Sequence, residues 1–276
     1  MKSTQPTLPF DLLTHIGTFL NPNEKWSPGR PTCPYREFSP LYINERMYLA
    51  GVLRDKDLLQ FYLQRDGIQH ACTSIAFAGN LTLLRWLQRA GCQWNEKTCV
   101  VAAYAGYLEM LQWLLAAEDY EYAWDLVIFE AAAYGGHLAV LKWLHSEGCG
   151  GDDWACNAAA INGHLEVLKW TRSDDFYGSR FNDWICNAAA FGGHLDVLKW
   201  LRGDGCPWNE ETCEAAAEGG HLEVLKWLRS EGCPWDHTTC RAAAENGHLE
   251  MLKWLGSEDC PGSDWDWDDM PGFPSP

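Results

Sequence analysis

Twelve cysteines, nine histidines and sixteen tryptophans are the residues of this 276-residue chain with the most chemistry to offer. Cysteines could bridge as disulfides or hold zinc, histidines could ligate a metal or move protons, and tryptophans could stack on a ligand's rings. Spacing decides among these. Zinc needs ligands clustered as Cys-x-x-Cys or His-x-x-x-His, and the sequence contains neither. A secreted disulfide framework would follow a signal peptide, but the apolar stretch near the N-terminus carries Asp11 and His15, and no small-residue cleavage site follows it. Instead the cysteines recur at fixed register. Cys72, Cys99, Cys156, Cys186, Cys213 and Cys240 share one slot, Cys92, Cys149, Cys206, Cys233 and Cys260 share a second, and Cys33 stands outside both. Neighbouring slots lie seven residues apart on different segments, so all twelve are expected to be free thiols, the repeat-slot ones buried as small hydrophobes in a reducing compartment.

The histidines behave in the same way. His137, His164, His194, His221 and His248 come one per period, so they climb the molecule rather than converge, and they read as capping and packing residues. No phosphate-cradling glycine loop, nucleophile elbow or pair of carboxylates on one helix face is evident. The chain therefore reads as a non-enzyme without catalytic residues, metal or cofactor. Its formal net charge of −17 argues against nucleic acid or an anionic membrane surface as partner. No 18-residue apolar run is present to cross a bilayer.

The element that must position these residues is a repeat. The string Gly220-His221-Leu222-Glu223-Val224-Leu225-Lys226-Trp227-Leu228 returns along the chain, its Leu222 position matched at Leu81, Leu108, Leu138, Leu165, Leu195 and Leu249, with steps of 27 or 30 residues. A weaker copy lies at residues 57–63. Each unit predicts two short helices. The first is alanine-rich, as in Thr212 to Glu218, and Gly219-Gly220 breaks it. The second carries Leu222, Leu225 and Leu228, with Val224 adjacent, on one apolar face, and Glu223 and Lys226 on the wet side. One pair cannot bury its apolar face alone, whereas stacked pairs can, so the product is an all-α helical solenoid. Trp86, Trp113, Trp143, Trp170, Trp200, Trp227 and Trp254 hold one slot of the second helix, while Trp94, Trp124, Trp208 and Trp235 hold another before the first helix. Such registers predict a structural column of rings between neighbouring units, each burying up to about 150–250 Å².

Ala-Ala-x-x-Gly-His-Leu-Glu-Val-Leu-Lys-x-Leu followed by Gly-Cys-Pro-Trp-Asn resembles the ankyrin repeat over roughly residues 41–262. The resemblance implies an ankyrin-type solenoid of about eight helix pairs whose work is protein binding. Ankyrin units run about 33 residues, so these shorter units imply reduced or absent β-hairpins and a binding surface made by helices. The place where ankyrins vary to contact partners falls, in this chain, on Phe77, Tyr104, Tyr134, Ile161, Phe191, Glu218 and Glu245, an apolar strip with an acidic end. The alternative is that these rings only shield helix junctions.

Residues 8–22 form an apolar helix face closed by Asn21-Pro22, and the run Leu8-Pro9-Phe10-Asp11-Leu12-Leu13 with Ile16, Phe19 and Leu20 resembles the opening of an F-box. That resemblance implies that Leu8, Pro9, Leu12, Leu13, Ile16 and Leu20 dock a Skp-type adaptor, making the chain the substrate receptor of a cullin ubiquitin ligase. The same helix could equally cap the first repeat. The sequence thus divides into an F-box-like or capping segment (1–40), the solenoid (41–262) and an acidic tail expected to be disordered (263–276). A protein partner, a monomeric state and a cytoplasmic or nuclear location in a eukaryotic cell complete the expectation.

Overall fold

A computed structural model describes residues 71–89, 94–116, 125–151, 153–173 and 182–261. Among them are seven consecutive helix pairs: α1 (Ala71–Phe77) with α2 (Leu81–Arg89), α3 (Glu96–Tyr104) with α4 (Leu108–Ala116), α5 (Asp125–Tyr134) with α6 (Leu138–Ser146), α7 (Asp153–Ile161) with α8 (Leu165–Thr171), α9 (Asp183–Phe191) with α10 (Leu195–Gly203), α11 (Glu210–Glu218) with α12 (Leu222–Ser230), and α13 (His237–Glu245) with α14 (Leu249–Ser257). No strand occurs among the described residues, so the fold is an all-α solenoid of helix pairs. The F-box-like residues Leu8, Pro9, Leu12, Leu13, Ile16 and Leu20, the weak copy at 57–63 and the tail from 262 lie outside the described residues.

Local chemistry sets each helix. At the start of α11 the Asn209 side chain accepts the Glu211 amide at 3.1 Å, and the Thr212 hydroxyl accepts the Asn209 amide at 3.4 Å, so the residue before the helix and one in its first turn satisfy each other. Asp236 does the same service for α13, accepting the Thr238 amide at 2.8 Å. Alanines then let the first helices approach closely: α11 buries Ala215, Ala216 and Ala217 beside Cys213. In the second helices the buried face is the expected one except for its first leucine. Val224, Leu225 and Leu228 are buried in α12, with equivalent residues in the other second helices, while Leu222 is half-buried and Leu249 is 41% exposed. The leucine that opens each second helix sits at the flank of the apolar face, because that face is centred on the three residues below it. Its wet side is as expected, with Lys226 2.8 Å from Glu223 and exposed to solvent, a pair worth little in stability.

The chain divides into two compact units, one made of residues 1–102 and 109–119, the other of 103–108 and 120–276. In the smaller unit the core is formed by Ile75, Leu83, Leu84, Leu87, Met110, Leu111 and Leu114, with the Thr73 and Thr98 hydroxyls hydrogen-bonded at 3.3 Å inside it. In the larger unit the first helices form a continuous row, α5 on α7, α7 on α9, α9 on α11 and α11 on α13. Polar ties cross that row: the Thr212 hydroxyl donates to Asn187 Oδ1 at 2.6 Å, and Asn209 Nδ2 donates to Asp183 at 2.9 Å.

The tryptophans of the two slots meet within a unit, Trp94 on Trp113 (4.9 Å between ring centres), Trp208 on Trp227 (5.8 Å) and Trp235 on Trp254 (5.8 Å). The link to the preceding unit is cationic, with Arg202 lying 4.0 Å over Trp208 and Arg229 4.1 Å over Trp235. The physical reason is the flank position of the second-helix tryptophan, which is half-buried and so presents an edge that the loop ring can cover.

Candidate partner-binding face

Each residue of the expected strip is the last residue of a first helix. Phe77 closes α1 in the smaller unit; in the larger unit Tyr104, Tyr134, Ile161, Phe191, Glu218 and Glu245 close α3, α5, α7, α9, α11 and α13. Tyr104, Tyr134, Ile161, Phe191 and Glu218 are half-buried and Glu245 is exposed. The Tyr104 and Tyr134 rings lie 5.8 Å apart, tilted by 38°. Burial, with the neighbouring Tyr134, pushes the Tyr104 hydroxyl up to about 12, so it stays a neutral donor. The acidic end is tempered by Arg241, which approaches Glu245 at 3.9 Å and Glu214 at 4.0 Å.

What holds the strip in place is the histidine series, and its geometry is unlike a metal or catalytic set. Each ring stands just before its own second helix yet makes no cap bond to that helix. It reaches back one unit. His137 Nε2 donates to the Tyr104 carbonyl at 2.9 Å, His164 to Tyr134 at 2.9 Å, His194 to Ile161 at 3.1 Å and His248 to Glu218 at 3.1 Å, and His221 bonds the Phe191 carbonyl. The ring thus satisfies a carbonyl left without a helical partner at the end of the preceding first helix. It fits because the turn beneath it has no side chain: a Cβ on Gly193, whose φ is +77°, would lie 2.5 Å from His221 Nδ1. Burial pulls His137, His164 and His221 below the ordinary value, opposed by the bond to the carbonyl. The expected capping role therefore holds, but the cap serves the neighbouring unit.

Residues 213–255, from within α11 to within α14, match the family model for ankyrin repeats (many copies). An ankyrin-repeat region is present there. No curated protein matches the chain. The ankyrin-type solenoid is a class that is generally non-catalytic, and among the described residues no three metal-binding side chains converge.

Two features around the ankyrin region escaped the sequence reading. At the other end of the first helices, Leu126 (49% exposed) and Trp184 (45% exposed) share a register with Trp154, whose ring centre is 6.3 Å from that of Trp184. The repeated Asp-Trp at 153–154 and 183–184 was the available signal. The second feature is thiol pairing. All ten described cysteines are buried and none of them is disulfide-bonded, with Cys33 and Cys92 outside the described residues. The slots that meet, however, are twenty residues apart rather than seven: Cys186 Sγ lies 3.2 Å from Cys206 Sγ.

Proposed function

We propose that the chain is a stand-alone ankyrin-type binder that holds a protein partner along the strip closing the first helices. The observation that carries this is the series of half-buried aromatic and aliphatic ends, Tyr134, Ile161 and Phe191 on packed first helices, with the Tyr104 ring 5.8 Å from that of Tyr134. Rings that are part exposed and held by their neighbours lose little side-chain freedom on binding, and aromatics are enriched at interface centres. Glu218 and Glu245, with Arg241 beside the latter, favour a partner whose basic stretch lies towards that end. The reading extends to a solenoid over 41–262, flanked by an N-terminal segment and an acidic tail.

The test is proximity labelling in the native cell to obtain the partner, followed by titration against Tyr134→Ala and Phe191→Ala. Each change should weaken binding by more than about fivefold, or roughly 1 kcal/mol, with little change in melting temperature. Undiminished affinity with a large loss of stability would make these rings core and the strip no binding face.

A second reading adds recruitment of a Skp-type adaptor by residues 8–22, favoured by their Leu-Pro-x-Asp-Leu-Leu pattern. Changing Leu12 and Leu13 to Asp should then abolish copurification with the adaptor while leaving the repeats folded. If the helix is only a cap, the same changes lower the melting temperature instead, each lost apolar contact costing about 1.5–3 kcal/mol. Wild-type protein that never copurifies with the adaptor rules out the ligase reading.

A further inference from the structure

In the last three helix pairs the two cysteine slots converge. The thiol of the first helix meets the thiol that follows the second helix: Cys186 Sγ donates to Cys206 Sγ at 3.2 Å, and Cys213 and Cys233, and Cys240 and Cys260, interact from the same positions of the next two units. The later thiol also reaches the carbonyl of the residue that opens the same first helix: Cys206 to Asn182 at 3.3 Å, Cys233 to Asn209 at 3.4 Å and Cys260 to Asp236 at 3.7 Å. All six side chains are at most 3% exposed. The same twenty-residue spacing recurs in the sequence at Cys72 and Cys92, the latter outside the described residues, and is broken in the units between. The joining segments 117–124 and 174–181, which carry the three-residue insertions, contain no cysteine, and the slot twenty before Cys149 is Phe129.

Buried free thiols can be mere small hydrophobes, and that explains one cysteine per unit. It does not explain two that face each other in three successive units. We propose that these pairs are a stack of oxidisable modification sites, at which a peroxide converts each dithiol to a disulfide that fastens a joining loop to the helix pair it leaves. The chemistry balances without any other reactant. One thiolate attacks hydrogen peroxide, its sulfur loses two electrons to become a sulfenic acid, and water leaves. The partner thiol then attacks that sulfur, the S–O bond breaks, the S–S bond forms, and a second water carries away the oxygen. Two thiols and one peroxide give one disulfide and two waters. At 3.2 Å the sulfurs of Cys186 and Cys206 need about 1 Å of side-chain movement to reach the bonded separation of about 2.0 Å.

In the last pair the Cys260 thiol donates to the Asp236 carbonyl at 3.7 Å, as Cys206 and Cys233 donate to Asn182 and Asn209. The partner thiol together with burial pushes Cys186 and Cys213 up. Since the thiolate is the nucleophile, all three pairs react during local opening of their units.

The test uses the full chain, reduced and then exposed to hydrogen peroxide over a time course, with peptides mapped by mass spectrometry without reduction. Cross-linked peptides joining 186 to 206, 213 to 233 and 240 to 260 should appear, each link costing about 2 Da and reversing with dithiothreitol. Cys260→Ser should remove the 240–260 link alone and leave the other two. The oxidised protein should melt at a higher temperature than the reduced one, since each bridge closes a loop in the unfolded chain. Thiols that stay reduced under peroxide, that advance to sulfinic acid without bridging, or that link between positions other than slots twenty residues apart overturn the proposal.

Discussion

Replacing Gly193 with valine should destabilise the larger unit by on the order of 3 kcal/mol, through backbone strain and a displaced ring together. The residue sits at φ +77°, a conformation that a β-branched residue hardly adopts, and its new Cβ would lie 2.5 Å from His221 Nδ1. The imidazole must then leave the Phe191 carbonyl, so one substitution strains the turn and removes the bond that ties the same unit to the following one. Gly203 provides the matched control. It ends α10, has ordinary φ, and a Cβ there would meet nothing within 4 Å, so Gly203→Ala should be neutral or stabilising by at most about 1 kcal/mol. Urea unfolding midpoints of the two variants measure the difference. Near-wild-type stability of Gly193→Val would mean that the histidine is not seated on the turn.

The same joint shows how far the sequence could be read. The period, the two helices of each unit and the helix-closing position of Phe77, Tyr104, Tyr134, Ile161 and Phe191 were legible, because each follows from spacing along one chain segment. Partners across units were not. Nothing local in Gly-His-Leu says that His164 serves Tyr134, thirty residues earlier, rather than the helix it introduces. The thiol pairs were hidden for the same reason. The eye compares neighbouring slots, seven apart, but the helix pair folds back so that positions twenty apart meet. The tryptophans fall between these cases: two registers were visible, yet which ring covers which depends on the second helix presenting Trp227 at its flank, a matter of rotation about the helix axis. The helix-closing positions are thus placed by sequence and structure alike, because each is set within one chain segment.

A last expected result concerns pH, because it acts on several joints at once. His137, His164 and His221 have pKa values lowered by burial from the ordinary 6.5. Between that value and the lower folded-state one, the unfolded chain binds more protons than the native protein, so stability rises with pH across the window. The contribution is fully present above about 6.5 and is lost as pH falls through the folded-state values. The neutral ring already donates from Nε2 to the carbonyl; a second proton must sit on Nδ1, which faces the glycine turn, as His164 faces Gly136, rather than an acceptor. His164 also feels His137 and His194, so successive protonations in the ladder oppose one another. Units of a solenoid are stabilised by their neighbours, which makes loosened joints cumulative. Acid also relieves the repulsion within a chain of formal net charge −17, an effect of opposite sign. The comparison that isolates the ladder is therefore wild type against His164→Gln, at high salt, with melting temperatures followed from pH 8 to pH 5. Glutamine keeps an amide donor for the Tyr134 carbonyl but cannot be protonated, so the variant should lose less stability on acidification than the wild type. Parallel curves for the two proteins would place the acid sensitivity elsewhere than in the histidines that join the units.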